Sequence, residues 1–216
     1  MLALAQKDIH RPLRLHPSLV CHEVFSPMPR FDDWFQEVDL NKQISDARTV
    51  NLATVSATGQ PSNRMVTMKD YDSEGLVFFT NPTSNKGQDL TANPKVSLCF
   101  FWEPLNRQIR IEGLVEFVSC EVADAYFSKQ SRQEQVRAWV SEQSRTLDNL
   151  AQLKRDVERI TQEFESLRIP RPASWSGYKV KPHTIEFMQR EAHGLDTREV
   201  YQLAANSGWT RECLSP

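Results

Sequence analysis

The 216-residue sequence has no apolar run approaching the roughly 20 residues that cross a bilayer as a helix. It has no C-x-x-C pair. Cys21, Cys99, Cys120 and Cys213 are scattered, a pattern of reduced thiols in a cytoplasmic protein rather than a disulfide framework. Its five histidines show no H-E-x-x-H or other ligand spacing, so no metal site is expected. A net charge of only −2 offers no general attraction to nucleic acid or to an anionic membrane. There is no internal repeat and no low-complexity segment. G-x-S-x-G, the P-loop and a G-x-G-x-x-G after a strand are all missing. These absences argue against an α/β hydrolase, a kinase and a Rossmann dehydrogenase.

What is present is ordinary for one globular domain: 39% hydrophobic and 25% charged residues over a length that suits a single core. The first 20 residues carry Lys7, Arg11 and Arg14 with Asp8 as the one acid, faintly like a transit peptide. Pro12 and Pro17 would interrupt an amphipathic helix there. A flexible arm over 1–29, followed by one domain over 30–216, is the expected organisation.

Phe31, Trp34, Phe35 and Val38 recur at helical spacing. From Thr49 the pattern becomes that of strands, with "TVNLATVSA", "SNRMVTMKDY" and "LVFFTN" separated by turn residues. A short helix is expected over Ser84–Ala92, stopped by Asn93-Pro94. "KVSLCFFW" and "RQIRIEGLVEFV" read as longer strands joined at Glu103–Asn106. A helix over Ser119–Ser128 follows, then one opened by a Ser131–Glu134 capping box. A longer helix carries Leu150, Leu153, Val157, Ile160, Phe164 and Leu167 as a packing stripe. Strands near "TIEFMQ", "REVYQLA" and "WTRECL" close the chain, with a hairpin turn at Asn206-Ser207-Gly208. The class is mainly β, a barrel-like antiparallel sheet with peripheral helices.

Candidate chemistry sits on strands near basic groups. Arg64 and Lys69 lie five apart on one strand, so their side chains nominally face opposite sides unless a bulge intervenes. Lys86 opens a short helix behind Thr80, Asn81, Ser84 and Asn85, a plausible phosphate site. From composition alone the plainer reading, a capped surface helix with a solvated lysine, is favoured.

"NLATVSATGQPSNRMVTMKDYDSEGLVFFTN", "SNKGQDLTANPKVSLCFFWEPLNRQIRIEG", "PRPASWSGYKVKP" and the end "GWTRECLSP" closely resemble the pyridoxamine 5′-phosphate oxidase family, from about Phe31 onward. The resemblance implies a homodimeric FMN-binding split β-barrel, with the flavin at the subunit interface. It implies oxidation of pyridoxamine or pyridoxine 5′-phosphate to pyridoxal 5′-phosphate, in vitamin B6 metabolism, with oxygen taking the electrons. It places Arg64, Met65, Val66, Thr67, Lys69, Phe79, Thr80, Lys86, Gln108, Gln143, Ser144 and Arg198 at the flavin. It places Lys69 and Tyr126 at the substrate phosphate. No side chain is singled out as catalytic, because the flavin itself accepts the hydride.

The likeness breaks at particular positions. The family has arginine where this chain has Asn85 and tryptophan where it has Met188. At the substrate, its arginine and serine are here Gln130 and Glu134. Its arginine-leucine-histidine motif is Gly194-Leu195-Asp196, with His193 one residue before. Three functions remain open: the family oxidase, an FMN-binding relative that has lost the activity, and an FMN oxidoreductase of a less anionic substrate.

Overall fold

The computed structural model describes residues 26–147, 149–192, 194–205 and 208–216. Helix α1 (Met28–Leu40) buries Phe31, Phe35 and Val38, spaced four and three apart on one face. Pro29 sits in its first turn, where a missing N–H costs nothing. The helix thus begins just inside the stretch assigned to the arm by its sequence. Arm residues 1–25 lie outside the described residues.

Eight antiparallel strands form one sheet: β1 (Thr49–Val55), β2 (Pro61–Asp72), β3 (Gly75–Thr80), β4 (Lys95–Trp102), β5 (Arg107–Phe117), β6 (Ser176–Gln189), β7 (Thr197–Leu203) and β8 (Trp209–Leu214). Their order is β3-β2-β1-β4-β5-β6-β7-β8. An additional β3–β6 pairing closes the first six into a barrel, as the sequence pattern led us to expect. Alternation along β1 puts Val50, Leu52 and Thr54 inside. Leu52, Leu98, Phe100, Ile109, Ile111 and Ile185 fill the barrel, and Phe31, Phe35 and Val38 of α1 join the same core. Burying each such side chain contributes roughly 1.5–3 kcal/mol.

Two irregularities shape this frame. Between Met68 and Asp70 the β2–β3 register slips, leaving Lys69 as the bulged residue. Between Glu112 and Gly113 the β5–β6 register slips, and Pro182 pairs there. Bulges are where a strand accepts proline. A Cβ on Gly113 would lie 2.4 Å from the Lys181 carbonyl oxygen, so the close approach needs glycine. Strand β6 begins at Ser176, well before the "TIEFMQ" segment that marks it in sequence. Lys179, Lys181 and Pro182 hide its first half from a pattern reading.

Helix α2 (Asn85–Ala92) follows β3. The helices α3 (Cys120–Ser128), α4 (Arg132–Val140) and α5 (Leu150–Glu163) enclose a second core of Ala123, Phe127, Val136, Ile160, Ile169 and Trp175. The Ser131–Glu134 capping box is formed at α4. The stripe on α5 packs only in part: Ile160 is buried, whereas Leu150, Val157 and Leu167 are exposed. Helix α4 meets it near one end, where the Trp139 and Phe164 rings lie 5.4 Å apart. Of the final hairpin turn, Asn206 and Ser207 lie outside the described residues. The Ala204 amide donates to the Gly208 carbonyl across it at 2.7 Å.

Candidate active site

The end of β3 and the start of α2 build a cationic pocket. Ser84 caps α2, its hydroxyl accepting from the Gly87 amide. A Cβ on Gly87 would meet the Pro82 carbonyl oxygen at 2.3 Å, so glycine lets the loop fold tightly onto the helix. This fold carries Lys86 inward, to 8% exposure. The reading of a solvated lysine is therefore corrected: the turn buries it. Its ammonium donates to Gln143 Oε1 (2.9 Å), Thr80 Oγ1 (3.3 Å) and Ser84 Oγ (3.4 Å). The Thr80 hydroxyl donates to the same Gln143 oxygen at 2.9 Å. Among the described residues no carboxylate pairs with Lys86. Burial pushes its pKa down, and the Arg64 charge pushes it further the same way.

Arg64 projects from β2 toward the same end of the barrel. Its guanidinium donates to Thr54 Oγ1 (2.7 Å) and to Ser62, with Asp89 at 3.8 Å. A buried lysine without a counter-ion, beside an arginine, suits a phosphate dianion. Arg64, Thr80, Lys86 and Gln143 therefore fit the phosphate end of FMN. Ser144, next to Gln143, has a left-handed backbone (φ 70°), a costly conformation for a residue with a Cβ.

The bulge frees the backbone of Lys69 from the ladder. Its carbonyl accepts from the Tyr126 hydroxyl (2.9 Å) and from Arg48 (3.4 Å). Burial raises the Tyr126 pKa, and nearby Asp70 adds to it. Tyr126 also lies against Phe79, whose ring stacks on Trp175 at 4.4 Å. Val66 packs partly on the barrel core, and Thr67 pairs with Thr49.

The remaining expected flavin residues stand elsewhere. Gln108, Met188 and Arg198 are cross-strand neighbours on β5, β6 and β7. Arg198 Nε donates to Glu186 at 2.8 Å, and Arg110 reaches the same carboxylate at 3.0 Å. Glu186 is 6% exposed, so this carboxylate anchors both arginines from within the sheet. Sequence reasoning missed Glu186, because nothing local marks a residue whose partners lie on neighbouring strands. Register pairs Met65 with Asn51, Asn51 with Cys99, Cys99 with Arg110 and Arg110 with Glu186, which puts Met65 on this same face. Met65 and Phe101 on this face are half or more exposed.

A cavity of about 210 Å³ lies between α4 and the end of β3. Phe79, Thr80, Gln130, Glu134, Arg137 and Gln143 are among its walls. It joins positions expected at the flavin with positions expected at the substrate. Glu134 Oε2 accepts from the Ser131 amide (3.0 Å) and hydroxyl (2.7 Å). The Ser131 hydroxyl chiefly holds this carboxyl below its ordinary pKa, with smaller help from Lys69 and Arg137. Asp196 turns into its own loop, accepting from the Glu191 amide at 3.2 Å, and Gly194 beside it has φ 76°. His193 lies outside the described residues.

Closed antiparallel barrel, buried lysine and flanking arginine match the class of FMN-binding split-barrel flavoproteins, and the comparisons with known proteins place the chain there. The pyridoxamine 5′-phosphate oxidase family profile matches residues 38–164, and the pyridoxine 5′-phosphate oxidase C-terminal dimerisation region matches 175–216. The chain is 44% identical over 190 residues to a pyridoxine/pyridoxamine 5′-phosphate oxidase of Sphingopyxis alaskensis, covering 88% of this chain and 87% of that one. It is 41% identical over 200 residues to one of Caulobacter vibrioides, covering 93% and 88%. This chain belongs to the pyridoxamine 5′-phosphate oxidase family, a family of oxidoreductases. Among solved structures it resembles PhzG from Burkholderia lata 383 in complex with tetrahydrophenazine-1-carboxylic acid, with TM-score 0.85, 25% identity and coverage of 94% and 98%. An FMN-binding relative from Nostoc punctiforme shares the fold, with TM-score 0.72, 16% identity and coverage of 89% and 98%. No described helix is long and apolar enough to cross a membrane.

Proposed function

We propose that the protein oxidises pyridoxine or pyridoxamine 5′-phosphate to pyridoxal 5′-phosphate as a cytoplasmic FMN-dependent homodimer. The observation that carries this reading is the Lys69 bulge, pinned by Tyr126, whose ring lies against Phe79 in the wall of the cavity. Bound FMN supplies the hydride acceptor, and oxygen then takes the two electrons as hydrogen peroxide. Arg64, Thr80, Lys86 and Gln143 hold the cofactor phosphate. Gln108 and Arg198 belong to the ring end, across the exposed sheet face where a second copy docks. Ser144, Met65, Val66, Thr67 and Phe79 complete the cofactor's surroundings. Lys69 and Tyr126 bind the substrate phosphate, the Tyr126 hydroxyl turning its one proton from the Lys69 carbonyl to the anion, and so set the reacting carbon against the flavin; positioning of this kind is the protein's main contribution. For pyridoxine 5′-phosphate the alcohol carbon loses a hydride and its hydroxyl a proton, which passes to solvent.

A second reading rests on Glu134, whose carboxylate in the cavity wall disfavours a doubly charged phosphate. It is an FMN protein of the same family acting on a less anionic molecule. The PhzG likeness, to a protein holding a carboxylic acid, supports it. Both readings meet in one experiment. The FMN-loaded protein is mixed anaerobically with pyridoxine 5′-phosphate and its visible spectrum followed. Bleaching of the flavin is expected. A spectrum that stays oxidised would sink the first reading and leave the second.

A further inference from the structure

The resemblance expects an arginine at the position of Gln130, and its loss leaves the substrate pocket one cation short. Arg137 lines the same cavity as Gln130 and Glu134. It stands one turn beyond Glu134 on α4, and Cα–Cβ bonds tilt toward a helix N-terminus, so its side chain leans back toward that carboxylate. Among the described residues its guanidinium makes no hydrogen bond and no ion pair. Glu134 Oε2 accepts from both the amide and the hydroxyl of Ser131, and Arg137 meets this carboxylate through its charge alone. Gln130 Oε1 is buried without a partner, and an amide oxygen only accepts, so that atom offers an anion nothing.

We propose that Arg137 is a specificity-determining residue of this pocket, supplying from the second turn of α4 the cation that Gln130 does not. The anion it recognises is the phosphate of the substrate, shared with Lys69. This rests on the oxidase reading above, and its test separates the two. KM and kcat for pyridoxine 5′-phosphate are measured on the FMN-loaded wild type, Arg137→Gln, Gln130→Arg and the double variant. Equilibrium binding of pyridoxal 5′-phosphate is titrated on the same four proteins.

Arg137→Gln is expected to raise both KM and the pyridoxal 5′-phosphate Kd at least about tenfold, the scale of a charge-assisted hydrogen bond. The affinity for FMN stays near wild type. In the Gln130→Arg background the same substitution costs much less, because the second cation is already supplied. A merely structural role for Arg137 would show no such coupling. Unchanged KM and Kd in Arg137→Gln, or an equal loss in both backgrounds, would overturn the proposal. Arg137-dependent binding without turnover by the wild type would sink the oxidase reading and leave Arg137 in its assigned role. No binding of pyridoxal 5′-phosphate by the wild type would overturn both.

Discussion

The Tyr126 hydroxyl, on a helix of the second core, donates at 2.9 Å to the carbonyl of Lys69, the bulged residue of β2. One bond thus ties the helical layer to the point where the strand changes the facing of its side chains. A bulge leaves a backbone group without its ladder partner, and here two donors, Tyr126 and Arg48, satisfy it.

Removing that hydroxyl separates its anchoring from its packing, since Phe79 stacking against the ring is kept in Tyr126→Phe. The expected loss of stability is about 0.5–1.5 kcal/mol, the net worth of one hydrogen bond. KM for pyridoxine 5′-phosphate rises several-fold while FMN affinity stays unchanged. Chemical denaturation and steady-state kinetics on the same preparation check both. A variant weakened in FMN binding instead would place Tyr126 in the cofactor site.

Lys86 gives a pH signature. Burial lowers its folded pKa below the ordinary 10.5, so in the FMN-free protein the unfolded chain binds more protons between the two values. Stability from this group therefore rises with pH through that window, and the cost is fully present below it. Against Lys86→Met, which cannot titrate there, the wild type should gain stability as the pH is raised from 7 toward 10. Denaturant titrations of both FMN-free proteins measure the difference. At pH 7 the same variant should bind FMN roughly 10–100-fold more weakly by flavin-fluorescence quenching, the loss of one charged hydrogen bond.

Glu186 holds Arg198 and Arg110 with one buried carboxylate. Glu186→Gln keeps the shape and removes the charge. Both arginines are partly exposed, which limits the cost to about 1–3 kcal/mol. FMN affinity should fall several-fold through the loosened Arg198, with pyridoxine 5′-phosphate KM little changed at saturating FMN. Thermal unfolding and FMN titration read the two effects. Unaltered FMN affinity would remove Arg198 from the cofactor site.

Much of this was legible along the chain. The bounds of β4, the start of α4 at its capping box and the buried face of α1 follow from period and capping, which act over a few residues. The first half of β6 was not legible. Its lysines and Pro182 break the pattern, and only pairing with β3 and β5 explains why it is a strand. Leu150, Val157 and Leu167 carried a helical stripe that the tertiary structure leaves largely uncovered. Periodicity states which residues share a face, not what meets that face.

By itself the sequence determined the class of fold, the family and which cations are expected at the cofactor. The tertiary structure alone decided how those cations stand. It buried Lys86 by folding a proline–glycine contact onto α2. It placed Lys69 at a bulge held by Tyr126 and Arg48, gave Glu186 two arginines from neighbouring strands, and set Arg137 into the wall that Gln130 and Glu134 share. Local propensity acts through nearest neighbours along the chain. Burial and ion pairing act through neighbours in space, and in a barrel closed by its third and sixth strands those neighbours lie far apart in sequence.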